Sequence, residues 1–105
     1  MNNEPSQLDR ILVEERRLAI LRWLWKMPGH TANERIAGMY LRHVGLVSAQ
    51  EAVRDCLNHL ERSGALKIVW REALMVIELT HRGVEAADGL IEVDGIPRPG
   101  VDCPY

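Results

Sequence analysis

Residues 7–27 carry Leu8, Ile11, Leu12, Leu18, Leu21, Leu24 and Trp25 at near-helical intervals, interrupted by the charged run Glu14-Glu15-Arg16-Arg17. The pattern predicts a long first helix. Pro28-Gly29 ends it, since proline cannot donate to the helical ladder and glycine readily leaves the helical region. Thr31-Ala32-Asn33-Glu34 has capping-box spacing, with a hydroxyl for the N–H three residues on and a carboxylate to reach back. It predicts a second helix over about residues 32–43, with Ile36, Met39, Tyr40 and Val44 inward and Gly45 as the left-handed residue that closes it.

Ser48-Ala49-Gln50-Glu51 repeats the capping-box chemistry, and Val53, Cys56, Leu57 and Leu60 follow at the spacing of a single buried helix face. Past Gly64 the period changes. Leu66, Ile68 and Trp70 alternate with Lys67, Val69 and Arg71, and Leu74 to Leu79 is a second strand-like run. Arg71-Glu72-Ala73 between them reads as the turn of an antiparallel hairpin that lacks Asn-Gly. Thr80 is placed to cap a last short helix reaching about Gly89, with Val84, Ala87 and Leu90 available for packing. Gly83 inside that helix costs about 1 kcal/mol relative to Ala, so the helix depends on docking. Residues 91–105 hold Pro97, Pro99 and Pro104 with Gly95 and Gly100, which excludes regular helix and predicts an extended strap.

The expected architecture is mainly α with a small β-hairpin, an α+β domain over residues 1–90 with a Pro/Gly-rich extension over 91–105. A length of 105 residues suits one hydrophobic core, and 47% apolar with 27% charged residues is the composition of a chain that folds. Cys56 and Cys103 form neither a Cys-x-x-Cys pair nor a disulfide framework, which points to a reducing cytoplasm. Met1-Asn2-Asn3-Glu4-Pro5 lacks the basic and apolar regions of a leader, and no apolar run approaches the roughly 18 residues of a membrane span. Thirteen bases against fifteen acids give a formal charge of −2, which weighs against a nucleic-acid partner.

The order helix, helix, helix, hairpin, helix is that of a winged helix-turn-helix domain. Ser48-x-x-x-x-Val53-x-x-x-Leu57-x-x-Leu60-Glu61-x-x-Gly64-x-Leu66 resembles the recognition helix and first wing strand of MarR- and ArsR-like regulators. Leu79-Thr80-x-Arg82-Gly83 resembles their exit from the second wing strand, and these matches cover about residues 18–90. A narrower resemblance rests on Leu18-Ala19-Ile20-Leu21-Arg22-x-Leu24, Pro28-Gly29-His30, Leu79-Thr80-x-Arg82-Gly83 with Ala87-x-Gly89, and Val93-x-Gly95-Ile96-x-Arg98-Pro99. It is to a family of small proteins encoded by Mu-like bacteriophages and prophages. It implies a phage origin and a winged-helix fold, and adds little about function.

In such a fold the third helix enters the major groove while the wing holds phosphates. Its outward side carries Ser48, Glu51, Asp55, Asn58 and Arg62, with Arg54 on the flank. Arg54 and Asn58 have base-reading chemistry for guanine and adenine, and Ser48 or Gln50 adds a phosphate or base contact. Arg62, Lys67 and Arg71 complete the expected DNA-binding set. Glu51 and Asp55 oppose the phosphate potential, and the plain alternative is a solvated face of mixed charge. Arg10, Arg16, Arg17 and Arg22 are the densest positive group, read as salt-linked surface, with Glu14 and Glu15 within a turn of Arg10, Arg16 and Arg17. Trp23 and Trp25 point about 200° apart, so one of them is left for a partner or the strap. Leu8, Ile11, Leu12 and Trp23 form the expected dimer face.

His30, His43, His59 and His81 lie on separate elements, and Cys56 of the Cys56-x-x-His59 pair belongs to the apolar stripe, so no metal is expected. There is no phosphate-binding glycine loop and no Ser/His/Asp or Cys/His arrangement; neither an enzyme nor a cofactor is expected. Two readings follow. One is a cytoplasmic, dimeric regulator of transcription bound to double-stranded DNA; the other is a winged-helix protein-interaction module of phage development or assembly with no nucleic-acid partner.

Overall fold

The structure is a computed structural model that describes residues 6–105; the leader reading of residues 1–5 and the first positions of the 1–90 unit lie outside the described residues. Helix α1 (Gln7–Lys26) starts at a reciprocal capping box, in which the Ser6 hydroxyl accepts from the Asp9 N–H and Asp9 accepts from that of Ser6. From Leu18 onward it is the central rod of the core, burying Leu18, Ala19, Ile20, Leu21, Trp23 and Leu24. Its first two turns bury nothing.

A 3₁₀ turn (Pro28–His30) leads into β1 (Thr31–Asn33), a short strand absent from the sequence reading. The expected cap therefore moves. Asn33, not Thr31, caps α2 (Glu34–His43), its Oδ1 accepting from the Arg35 and Ile36 N–H groups at 3.0 Å each. Of the expected inner face of α2, Tyr40 and Val44 pack against the core, but Ile36 and Met39 do not. Glu34, Ala37 and Leu41 are buried, whereas Ile36 and Met39 are 40% and 61% exposed. The apolar pattern misled because a carboxylate with buried partners occupies the inner position of the first turn.

Helix α3 (Gln50–Arg62) buries Val53, Cys56, Leu57 and Leu60, the expected stripe. Its N-cap is Ala49, with no side-chain cap. The Ser48 hydroxyl instead donates to the Leu46 carbonyl and accepts from Arg16 Nε, both at 2.7 Å. Strands β2 (Leu66–Arg71) and β3 (Leu74–Leu79) form the hairpin, and β1 adds to the other side of β3, giving an antiparallel sheet of order β1-β3-β2. Met75 and Ile77 point into the core, opposite Trp70 and Ile68.

Helix α4 (His81–Ala87) is docked by close backbone approach. The Thr80 hydroxyl donates to the Gly64 carbonyl at 2.6 Å while accepting from the Gly83 N–H, and Arg82 Nε donates to the Ser63 carbonyl. These bonds satisfy the open end of α3. A Cβ at Gly83 would overlap the Ala65 carbonyl oxygen, so the glycine that weakens α4 locally is what lets it dock.

The strap is fastened by the arginines of α1. Arg17 Nη1 donates to the Gly95 carbonyl at 2.9 Å, and Arg22 reaches the carbonyls of Ala87 and Tyr105 at 2.8 and 3.0 Å. Arg98 donates to the Gly89 carbonyl, the Tyr105 hydroxyl donates to Glu15, and Ile96 is buried in the same core as α1 and α3. Arg16, Arg17 and Arg22 are thus anchors for main-chain and hydroxyl oxygens rather than a salt-linked surface in which Arg16 and Arg17 pair with Glu14 and Glu15. The carbonyls that Arg17 and Arg22 satisfy lie 65 to 83 residues away in sequence, and the Ser48 hydroxyl that Arg16 meets lies 32 away. No helix among the described residues is long and apolar enough to cross a membrane.

Candidate nucleic-acid interface

The outer face of α3 and the hairpin beside it form the surface on which most of the expected DNA contacts fall. Gln50, Glu51, Asp55, Arg62, Lys67 and Arg71 are exposed, and Asn58 is half-buried. Ser48 lies at the base of this surface with its hydroxyl already engaged by Leu46 and Arg16. Glu51 and Asp55 stand in the open.

Arg54 is different. Its Nε and Nη2 donate to the two carboxylate oxygens of Glu34 at 2.6 and 3.0 Å, and Nη2 also donates to the Ala73 carbonyl at 3.2 Å. Its guanidinium carbon lies 5.3 Å from the centre of the Trp70 ring. The guanidinium fork expected to meet guanine is therefore engaged by the protein itself while still partly exposed, because α2 supplies a carboxylate of matching bidentate geometry. It joins three elements: the start of α2, the middle of α3 and the tip of the hairpin.

Glu34 is the hub of that joint. It is 5% exposed and also accepts from the Met75 N–H at 2.7 Å and from Gln50 Nε2 at 3.4 Å. The bond from Arg54 holds its carboxyl below the usual carboxylate range, outweighing burial, with the Met75 N–H adding to the effect. The same bond raises Arg54 further. The sequence offered one signal for Glu34, its position three and seven residues before Ala37 and Leu41. Its base partner lies 20 residues on, beyond the reach of periodicity.

The aromatic pair of α1 is resolved by stacking. Trp23 is 8% exposed and lies flat on Tyr40, rings 5.0 Å apart and 12° from parallel, so it is not available to a dimer partner. Trp25 is the exposed one at 39%. Leu8 and Ile11 project into solvent, and Leu12 is partly buried against the core.

Among the described residues no three His, Cys, Asp or Glu side chains come together as a metal site. Burial pushes the Cys56 thiol up to about 12, so it packs as a neutral core group.

These features give a winged-helix-like α+β fold: a two-helix unit, α2 and α3, with a hairpin braced against its second helix. The chain belongs to the family of the uncharacterized protein gp26 of Escherichia phage Mu. It is similar to that protein with 33% identity over 92 residues, covering 88% of this chain and 95% of the relative. No family model matches the chain, and no solved structure matches it.

Proposed function

We propose that this Mu-like phage protein is a small DNA-binding regulator of transcription. The observation that carries the reading is the joint at Arg54, which fixes the hairpin tip beside α3 while leaving the outer side of that helix open. A reading helix and a wing held in register are what major-groove docking with flanking phosphate contacts requires. Gln50 and Asn58 supply base-edge chemistry, and Arg62, Lys67 and Arg71 supply phosphate contacts. Arg54 positions the wing. The protein acts as a dimer, which would give it two reading helices, and association uses the first turns of α1, where Leu8 and Ile11 are exposed; Trp25 extends the apolar surface of that helix.

A fluorescence titration with a short random-sequence duplex at low and moderate salt tests the reading. Binding of roughly micromolar strength that weakens steeply with salt supports it. No binding at low salt overturns it in favour of the protein-interaction module, which the exposed acids Glu51 and Asp55 on α3 favour.

A further inference from the structure

We propose that the principal phosphate contacts of this protein are made by Arg35 and Arg42 on α2, along a groove between that helix and the start of α3; this rests on the DNA-binding reading above. Two hollows meet there. One, of about 350 Å³, is lined by Glu34, Arg35, Gly38, Gln50, Arg54 and Leu74 among others, and the next, of about 510 Å³, by Arg35, Gly38, Met39, Arg42, His43 and Ser48. Arg35 and Gly38 belong to both, so the hollows form one continuous groove from the hairpin tip to the far end of α2.

The charge along this groove is one-sided. Its single acid, Glu34, is buried and neutralised by Arg54 and the Met75 N–H. Arg35 and Arg42 are exposed, and among the described residues neither has a carboxylate within salt-bridge distance. They stand seven residues apart on one helix, which puts them on one face about 10 Å from each other, a separation close to the roughly 12 Å width of the major groove. Gly38 lies between them and packs against Val53, so that position adds no side chain to the floor of the groove. The outer face of α3, by contrast, alternates Arg62 with Glu51 and Asp55. The net positive surface therefore lies on the flank of the reading helix, where the overall charge of −2 conceals it.

The occupant is duplex DNA, bound by its backbone. The salt dependence of binding reads the number of phosphates neutralised, at a slope of about 0.9 per contact. The bound dimer brings two copies of each arginine to the duplex, so Arg35→Gln/Arg42→Gln is expected to make log Kd against log salt shallower by about four and each single variant by about two. Thermal melts check that the variants remain folded, and substituting exposed, unpaired arginines is expected to shift Tm little. If the unaltered protein binds DNA but the double variant keeps its full salt slope, the groove assignment is overturned and the DNA reading stands. If the unaltered protein fails to bind at low salt, both fall together.

Discussion

The carboxylate of Glu34 meets the guanidinium of Arg54 through both oxygens, and on its other side takes the Met75 N–H from the wing. Glu34→Ala removes the acceptor for a buried main-chain donor and leaves Arg54 without its partner. We expect a loss of about 1–3 kcal/mol in chemical denaturation from the unpaired N–H alone. Arg54→Ala should loosen the hairpin tip, seen as faster hydrogen exchange at Met75. An unchanged exchange rate would remove Arg54 from the positioning role.

Acidification should destabilise the fold in two stages. Burial first, and then Arg17, lower the pKa of His59 below 6.5, so the unfolded chain takes up this proton before the folded one does. The stability it contributes is fully present above 6.5 and falls as pH drops toward the lower folded value. Glu34, held below 4.5, adds a second loss at more acid pH, as the unfolded carboxylate protonates first. Tm measured from about pH 7.5 to about pH 5 should fall, and His59→Gln should flatten that part of the curve. A parallel curve for the variant would show that His59 is not its source.

Gly83→Ala improves intrinsic helix propensity and should nevertheless destabilise the protein. The added methyl meets the Ala65 carbonyl and Leu79, and backbone cannot move aside as a flexible side chain would. The expected cost is about 3 kcal/mol, at the upper end of overpacking effects. A neutral or stabilising result in denaturant titrations would contradict the docking of α4 described above.

Glu72, the first residue of the two-residue hairpin turn, has φ of 57°. A positive φ there is the pattern of a type II′ turn, where glycine is favoured. Glu72→Gly should stabilise by about 0.5–1 kcal/mol, since removing left-handed strain outweighs glycine's entropy. It also removes an acid from the wing tip, so binding to random duplex should tighten at low salt. Unchanged or lower stability would contradict the strain.

Much of the fold was legible from short-range pattern. The stripe Val53, Cys56, Leu57, Leu60 and the alternation from Leu66 fix α3 and the hairpin, because every partner those residues need is set by period. The start of α2 was misread for a physical reason. Thr31 and Asn33 are both good caps, and the choice fell to Asn33 because β3 pairs with residues 31–33 and holds them extended. That pairing joins segments more than 40 residues apart. Ile36 and Met39 likewise look inward by hydrophobicity, yet small Ala37 and the satisfied Glu34 face the core.

The sequence by itself determined the helices, the hairpin, the inert place of Cys56 and the need of Gly83 for docking, since propensity, capping and periodicity act over a few residues. Only the tertiary structure decided where the charges act. Arg54 was paired by a carboxylate from another helix, Arg16, Arg17 and Arg22 were turned to oxygens far along the chain, and among the described residues Arg35 and Arg42 were left without a carboxylate partner on α2. Ion pairs and hydrogen bonds depend on distance in space, and a chain of balanced composition does not specify which charges its fold will spend inside.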